Sequence, residues 1–295
     1  MGGILVLGAT GMLGQALMRV GKERGLEVIG TARTGSDIDL DVLDERAMRR
    51  CLRDLAPKTV INAVAETRLD RCEREAGMAY LLNARPASIL AEVGRASEFH
   101  LVQISTDHYF TGGGAAQHDE DAPVRLVNEY ARTKYAGERF ALTLDDALVV
   151  RTNIVGFRAR EGAPTFVEWA FESLRNGRSM TLFDDFFTSS LDVTAFSEAL
   201  YDLLPLRIHG VLNLASSEVS SKKRFIETLA ARTGYACSHC VAGSVHELTG
   251  EIRRAESLGL DVTRAEALLE RKLPGLAEVV SALAEEFEVR KHALR

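Results

Sequence analysis

The sequence predicts an α/β fold, a doubly wound parallel sheet joined to a smaller, discontinuous C-terminal lobe. Over the first 155 residues, apolar runs of only three to five residues alternate with longer amphipathic stretches. Runs this short suit strands that are buried on both faces, and the stretches between them are long enough for crossover helices. Such alternation predicts parallel strands with helices on both sides of the sheet. Beyond Val155 the alternation becomes looser.

In the first part of the chain, most of the predicted strands are followed by a predicted helix. Ile4–Leu7 is wholly apolar, and Met12–Arg24 repeats apolar residues at the three- and four-residue spacing of a helix. The other predicted strands are Glu27–Thr31, Ile38–Leu40, Thr59–Asn62, Leu101–Ser105 and Leu148–Arg151. The other predicted helices are Glu45–Leu55, Ala76–Ala96 and Glu129–Leu142. This order is the one expected of a doubly wound sheet.

The later part of the chain predicts a smaller lobe. We expect helices at Thr165–Arg175, Lys222–Arg232, Val262–Leu269 and Leu276–Glu288, and a strand at Val211–Leu214. The larger domain is expected to cover residues 1–157 with returning segments at about 188–215, and the smaller lobe residues 158–187 and 216–295. Trp169, the one tryptophan, is expected in the core of the smaller lobe.

Composition and charge exclude several kinds of protein. Apolar residues make up 46% of the chain and charged residues 26%, which is ordinary for a globular protein. The net charge of -6 argues against a nucleic-acid partner, because a phosphate backbone attracts basic surfaces. No apolar run approaches the roughly 18 residues of a membrane span, and no basic segment precedes the first strand. We therefore expect a cytoplasmic protein without a membrane partner.

The four cysteines do not predict a metal site. Cys237 and Cys240 have a spacing found in zinc sites, but a structural zinc needs about four ligands and the chain has no second cysteine pair. Free thiols in a reducing compartment are the expected state.

A glycine-rich turn follows the first predicted strand directly. Gly8, Gly11 and Gly14 are spaced three residues apart, and the first predicted helix begins within this turn. Gly8 permits a tight turn, Gly11 lets the backbone approach a pyrophosphate, and Gly14 allows close packing of helix and strand. The helix N-terminus adds N–H donors and the positive end of its dipole. The pattern predicts a dinucleotide site in a Rossmann-type domain.

The end of the second strand bears on the choice between NAD and NADP. An acidic residue there would bind the adenosine ribose hydroxyls and repel a 2′-phosphate. The segment from Gly30 to Thr34 holds no carboxylate and one arginine, Arg33, which suits a 2′-phosphate. NADPH is therefore the expected cofactor, with NAD as the alternative.

Tyr130 and Lys134 lie four residues apart in a predicted helix, so both side chains fall on one face. A ketone that accepts a hydride needs a proton, which a tyrosine can supply. An ammonium about 4 Å from the phenol would contribute roughly 4 kcal/mol at an effective dielectric of 20, enough to lower its pKa by about three units. The pair predicts general acid catalysis, and Lys134 is also placed to bind the nicotinamide ribose.

Thr106 ends the fifth predicted strand, at the edge of the sheet where open α/β sheets bind ligands. Its hydroxyl is placed to hold a substrate ketone oxygen beside Tyr130. The glycine turn, the threonine and the tyrosine–lysine helix thus follow one another in the order that a reductase requires.

These motifs resemble the dTDP-4-dehydrorhamnose reductase family of the extended short-chain dehydrogenases, which reduce a keto group on a nucleotide sugar. The similar stretches are Gly8–Gly14, Asp41–Asp44, Pro57–Thr67, Ile104–Asp107, Asn128–Glu138 and Arg151–Thr152, so the likeness is specific up to about residue 157. By this resemblance Thr106, Tyr130 and Lys134 are catalytic. The resemblance also implies a homodimer, since family members are often dimers.

The resemblance assigns binding roles as well. The pyrophosphate would contact Gly8, Thr10, Gly11, Met12, Leu13 and Gly14. The adenine would contact Asp41 and Val42, while Ala63, Val64 and Ala65 would line the ribose and nicotinamide path. The substrate side would include Thr67, Thr106, Asp107 and Tyr130. Asn153 is a further candidate, and His108 either lines the sugar pocket beside Asp107 or packs in the loop.

The sequence departs from the family pattern around the sugar. His108 follows Thr106-Asp107, Asn153-Ile154 replaces a serine–tryptophan pair, and Ser189-Ser190 stands in the region of an expected proline. These departures leave the exact sugar open. A sugar-nucleotide epimerase and a non-catalytic subunit, resembling the regulatory subunit of methionine adenosyltransferase, remain alternatives to the reductase.

Overall fold

The computed structural model describes residues 3–158, 164–247 and 252–293. Its strands are β1 (Ile4–Leu7), β2 (Val28–Ala32), β3 (Ile38–Asp39), β4 (Thr59–Asn62), β5 (His100–Ile104), β6 (Gln117–His118), β7 (Ala147–Arg151), β8 (Ile154–Val155), β9 (Thr181–Phe183), β10 (Phe187–Thr188), β11 (Leu191–Asp192), β12 (Gly210–Asn213), β13 (Ser220–Ser221), β14 (Val241–Gly243) and β15 (Ser257–Leu260). Its helices are α1 (Met12–Glu23), α2 (Glu45–Leu55), α3 (Leu69–Arg74), α4 (Ala76–Asn83), α5 (Arg85–Ser97), α6 (Glu129–Ala141), α7 (Phe166–Arg175), α8 (Val193–Leu203), α9 (Lys222–Thr233), α10 (Thr263–Leu269) and α11 (Leu276–Ala293).

The large sheet has seven strands in the order β12-β7-β5-β4-β1-β2-β3. Every pairing in it is parallel. The chain runs outwards from β1 to β3 on one side and from β4 to β12 on the other, so the direction of winding changes between β1 and β4. The predicted doubly wound fold is confirmed, and the crevice outside the carboxyl ends of β1 and β4 is where such sheets bind ligands.

The later segments attach to this sheet and also form smaller ones. Strand β12 pairs with β7, and α8 packs against α1, where the Tyr201 hydroxyl donates to the Leu17 carbonyl at 2.7 Å. Four short strands form a second sheet in the order β13-β10-β15-β6. Phe287 of α11 stacks on Phe171 of α7, with ring centroids 4.2 Å apart. The second sheet brings β10 and β13 towards the carboxyl edge of the large sheet.

Two expectations from the sequence are wrong. The single helix expected over Ala76–Ala96 is divided into α4 and α5, because Pro86 has no N–H to continue the helical hydrogen bonds. Trp169 is 39% exposed instead of lying in the core, since α7 buries the face that carries Val167, Ala170 and Phe171. Among the described residues, no helix is long and apolar enough to cross a membrane.

Candidate active site

A cavity of about 750 Å³ lies along the carboxyl edge of the large sheet. Its walls come from the segments that follow β1, β4, β5 and β7, together with α6 and the start of α7. Most of the predicted site residues line it: Gly11, Met12, Leu13, Gly14, Arg33, Ala63, Ala65, Thr67, Thr106, Asp107, His108, Tyr130, Lys134 and Asn153. Residues far apart in sequence therefore converge here because parallel strands end at the same edge.

The glycine turn has the geometry that its spacing predicts. Gly8 has a φ of +85°, which favours glycine. A Cβ on Gly14 would overlap the Gly8 carbonyl oxygen and lie 2.7 Å from the Ala9 Cα, so this position requires glycine. Helix α1 has Gly11 as its N-cap, with no side-chain cap and no acidic residue in its first turn. Its first N–H groups are thus left to a ligand, and an anion such as a pyrophosphate fits them.

Other residues assigned to the dinucleotide lie near the cavity but outside its wall, namely Gly8, Thr10, Asp41, Val42 and Val64. The Asp41 carboxylate accepts a hydrogen bond from the Leu43 N–H at 3.0 Å. Val42 is buried in the core on the outer side of the sheet. Most of the predicted dinucleotide residues therefore line the cavity, and of these five Gly8 and Val64 pack against each other beside the glycine turn.

The part of the cavity that adjoins the end of β2 carries Arg33, an exposed side chain in its wall. Asp37, which was not among the predicted site residues, lies close to β2. Its carboxylate accepts a hydrogen bond from the Gly30 N–H at 2.8 Å and is therefore bonded to the backbone of β2. Arg33 remains the charged group that faces the cavity at this end.

Helix α6 places the tyrosine and the lysine. Asn128 caps the helix by accepting from the Ala131 N–H at 2.9 Å. Tyr130 and Lys134 are both buried, and they line the wall of the cavity together with Thr106. The Lys134 ammonium donates to the Ile104 carbonyl at 2.6 Å. Strand β5 and helix α6 thus hold the three groups together.

The expected effect of Lys134 on the phenol is not what the structure shows. Burial raises the pKa of Tyr130 above its ordinary value, and the Thr106 hydroxyl opposes this only in part. The charge of Lys134 is taken up by the Ile104 carbonyl, and burial lowers the pKa of Lys134 to about 8. The effect of burial on the pKa of Tyr130 therefore outweighs the lowering that was expected from the charge of Lys134.

Asp107 and His108 continue the wall on the substrate side. Burial raises the pKa of Asp107 to about 7, although the hydrogen bond from Asn153 and the charge of Lys222 lower it. Burial lowers the pKa of His108 to about 4, and the charges of Lys222 and Arg254 add to this effect. The rings of His108 and Tyr130 meet edge to face, with centroids 5.3 Å apart. His108 is therefore a neutral neighbour of the phenol at pH 7.

A buried ion pair supports this wall from behind. Arg151 of β7 donates to both oxygens of Glu138 of α6, at 3.1 and 3.0 Å. The Ser105 hydroxyl donates to the same carboxylate at 2.5 Å. Because Ser105 precedes Thr106 and Glu138 follows Lys134 by one helical turn, the pair ties the end of β5 to helix α6.

Several cavity residues escaped the sequence analysis: Glu66, Arg68, Arg71, Ile104, Ser105, Thr152, Ile154, Arg158, Pro164, Thr165 and Phe166. Five of them directly neighbour predicted site residues in sequence, so the strand-end rule extended by a residue would have found them. Phe166 and Lys222 are not next to any predicted site residue, so the sequence did not indicate them. The Lys222 ammonium lies 4.3 Å from the centroid of the Phe166 ring, and only packing of the later segments brings it there.

The described residues contain no group of three or more metal-ligating side chains. All four cysteines are free thiols. An open glycine turn at the switch point of a doubly wound sheet, with a threonine and a tyrosine–lysine helix at the same edge, defines the short-chain dehydrogenase class.

Comparison with known proteins identifies the family to which the chain belongs within this class. The family model described as RmlD substrate binding domain matches residues 1–289, and the chain belongs to that family. It is 36% identical over 165 residues to a dTDP-4-dehydrorhamnose reductase of Streptomyces griseus, which covers 55% of this chain but only 52% of the relative. The predicted family, one of nicotinamide-dependent oxidoreductases, is confirmed.

Two further similarities extend over most of the chain. The chain is 26% identical over 275 residues to the methionine adenosyltransferase 2 subunit beta of Danio rerio, covering 90% of this chain and 84% of the relative. The crystal structure of dTDP-4-dehydrorhamnose reductase from Bacillus anthracis in complex with NADP superposes with a TM-score of 0.87 at 21% identity, covering 97% and 99% of the two chains. The latter similarity establishes the fold.

Proposed function

We propose that the protein reduces a keto group, at C4, on a nucleotide-activated 6-deoxy sugar such as dTDP-4-dehydrorhamnose, with NADPH as reductant and Tyr130 as general acid. The observation that carries this proposal is that Thr106, Tyr130 and Lys134 line the same cavity as the open start of α1. Proton donor and cofactor cradle thus share one space. The reductase relative from Streptomyces griseus supports the substrate class.

The residues around the glycine turn suit a dinucleotide. The N–H groups at the start of α1 would hold the pyrophosphate, and Arg33 would pair with a 2′-phosphate. Ala63 and Ala65 would leave room for the ribose and nicotinamide, and Lys134 would bind the ribose hydroxyls. When bound, NADPH supplies the hydride that adds to the carbonyl carbon.

The proton comes from the protein. As the carbonyl carbon gains the hydride, the electron pair of the C=O π bond moves onto oxygen, and Tyr130 gives that oxygen its proton. Thr106 donates a hydrogen bond to the same oxygen and holds it beside the phenol. A raised pKa keeps Tyr130 protonated throughout the neutral range, and an alkoxide is basic enough to take that proton. The environment of Tyr130 therefore favours reduction.

The raised pKa of Tyr130 also bears on whether the protein is a sugar-nucleotide epimerase. An epimerase must first oxidise its sugar, for which a tyrosine has to act as a base. Burial works against the phenolate that this step needs. A reductase is the better account of the site.

A non-catalytic role in a complex is the second candidate, because the similarity to the methionine adenosyltransferase subunit covers 90% of the chain. An assay separates the two. Purified protein is mixed with NADPH and a panel of 4-keto-6-deoxy nucleotide sugars, and absorbance at the nicotinamide band is followed. We expect oxidation with at least one sugar and none with the Tyr130→Phe variant. NADPH binding without oxidation for the whole panel would favour the regulatory role.

The location follows as part of the same proposal. Four free thiols suit a reducing compartment such as the cytoplasm. We propose that the enzyme acts in the cytoplasm.

A further inference from the structure

A line of buried hydrogen bonds runs from the cavity wall into the second sheet. The Asn153 amide donates to Asp107 Oδ2 at 2.7 Å. The Ser190 hydroxyl donates to Asn153 Oδ1 at 2.7 Å, and Thr188 and Ser190 share a hydrogen bond of 3.0 Å. The line therefore joins β10 to the segments that follow β7 and β5.

Each hydrogen bond in this line determines which group donates and which accepts in the next hydrogen bond. Because Ser190 donates to the oxygen of the Asn153 amide, the amide nitrogen must point to Asp107. Ser190 has one proton to give, so it accepts from Thr188. Ser190 and Thr188 are 4% and 1% exposed and lie outside the cavity wall. Ser190 therefore contacts the cavity wall by its hydrogen bond to Asn153.

The line ends at the catalytic pair. Thr106 Oγ1 donates to Asp107 Oδ1 at 3.4 Å, and Thr106 lines the same cavity wall as Tyr130. The carboxylate of Asp107 is 1% exposed, so its position depends on these few partners. A shift of Asp107 would move the Thr106 hydroxyl relative to the phenol.

We propose that Ser190 is a positioning residue: acting through Asn153, it fixes the Asp107 carboxylate and thereby the Thr106 hydroxyl that faces Tyr130. The inference rests on the proposed reductase function and deepens it. Both Asn153 and Ser190 are positions at which the sequence departs from the family pattern, and the structure shows that they contact each other. The two departures form one hydrogen bond.

Other groups also face Asp107, and a test must hold them constant. Lys222 of α9 acts on it by charge, the His108 Nε2 lies 4.0 Å from Oδ1, and the Tyr130 phenol responds to its charge. Ser190→Ala leaves all three in place. It removes the donor that orients Asn153 and the acceptor of the Thr188 hydroxyl.

The test compares Ser190→Ala with Ser189→Ala. Ser189 is a neighbouring buried serine whose hydroxyl accepts from the Leu260 N–H at 3.0 Å, away from Asn153. We expect kcat to fall about tenfold in Ser190→Ala with KM changed less than about twofold, as misplacement of a reacting group implies. Ser189→Ala should keep the kcat of the wild type. Equal kcat values for the two variants would overturn the proposal.

A double-mutant cycle with Asn153→Ala checks the route. If Ser190 acts only through Asn153, removing its hydroxyl in the Asn153→Ala background has no further effect on kcat. A full additional tenfold loss there would overturn the route. Ser190→Cys keeps the size of the side chain with a weaker donor, and it replaces the alanine variant should that one fail to fold; an intermediate kcat is expected, and wild-type kcat would contradict the proposal.

A second readout needs no turnover. The Asp107 carboxyl is followed through pH by carbon-13 NMR or infrared difference spectroscopy. Because the Asn153 hydrogen bond lowers the pKa of Asp107, we expect the titration of Ser190→Ala to lie at higher pH than that of Ser189→Ala. Identical titrations would refute the inference even if the wild type reduced no sugar, whereas wild-type inactivity alone would refute only the proposed function.

Discussion

The buried pair of Glu138 and Arg151 allows a prediction whose size follows from the structure. The two side chains are 1% and 5% exposed and meet through two hydrogen bonds of 3.1 and 3.0 Å. Removing either partner leaves the other charge buried without compensation, which costs about 3–5 kcal/mol. Since domains unfold with about 5–15 kcal/mol, Arg151→Met or Glu138→Met alone removes a large part of the stability. Replacing both with methionine removes both charges, so the double variant should unfold close to the wild type.

Urea unfolding followed by circular dichroism measures this cycle. The midpoint should fall strongly in each single variant and recover in the double variant, with little change in slope. In the folded Glu138→Met variant the pKa of Lys134 should also fall below about 8, because the charge of Glu138 raises it. The reasoning is refuted if each single variant lies within about 1 kcal/mol of the wild type, or if the double variant loses the sum of both.

Two further predictions concern charges at opposite ends of the cavity. Lys222→Met removes a positive charge that lowers the pKa of Asp107, so this carboxyl should titrate above about pH 7 and carry less negative charge at neutral pH. Lys223→Met is the control, because its ammonium lies 3.7 Å from Asp184 instead, and an equal shift in both variants would contradict the assignment. Arg33→Ala should weaken NADPH binding about tenfold more than NADH binding, as loss of a charge-assisted hydrogen bond implies. Equal losses in isothermal titrations of the two cofactors would show that Arg33 does not read the 2′-phosphate.

The sequence was most informative where local pattern decides structure. The bounds of β1, β4 and α2 agree with the predicted segments, because short apolar runs and a capped amphipathic helix are set by neighbouring residues. The convergence of Thr106 with Tyr130 and Lys134 also followed from the sequence, since parallel strands place their carboxyl ends at one edge.

The parts that the sequence did not predict depend on tertiary packing. Nothing local to Lys222 or Ser190 indicates that α9 and β10 fold back towards the Asp107 carboxyl. The direction of the Tyr130 pKa shift depends on how completely the phenol is removed from water, which helical spacing does not reveal. Trp169 lies on the exposed side of its helix. The apolar residues around it would suit a buried side equally well, so the local sequence does not decide which side of the helix is buried.

The most direct test of the reductase mechanism is the single-turnover rate of NADPH oxidation by the Tyr130→Phe variant with a 4-keto-6-deoxy nucleotide sugar, measured beside its NADPH dissociation constant. Removing the phenolic hydroxyl should slow oxidation by about 10²-fold or more and leave the dissociation constant within about twofold of the wild type. An unchanged rate of oxidation would show that the proton comes from another group and would contradict the mechanism.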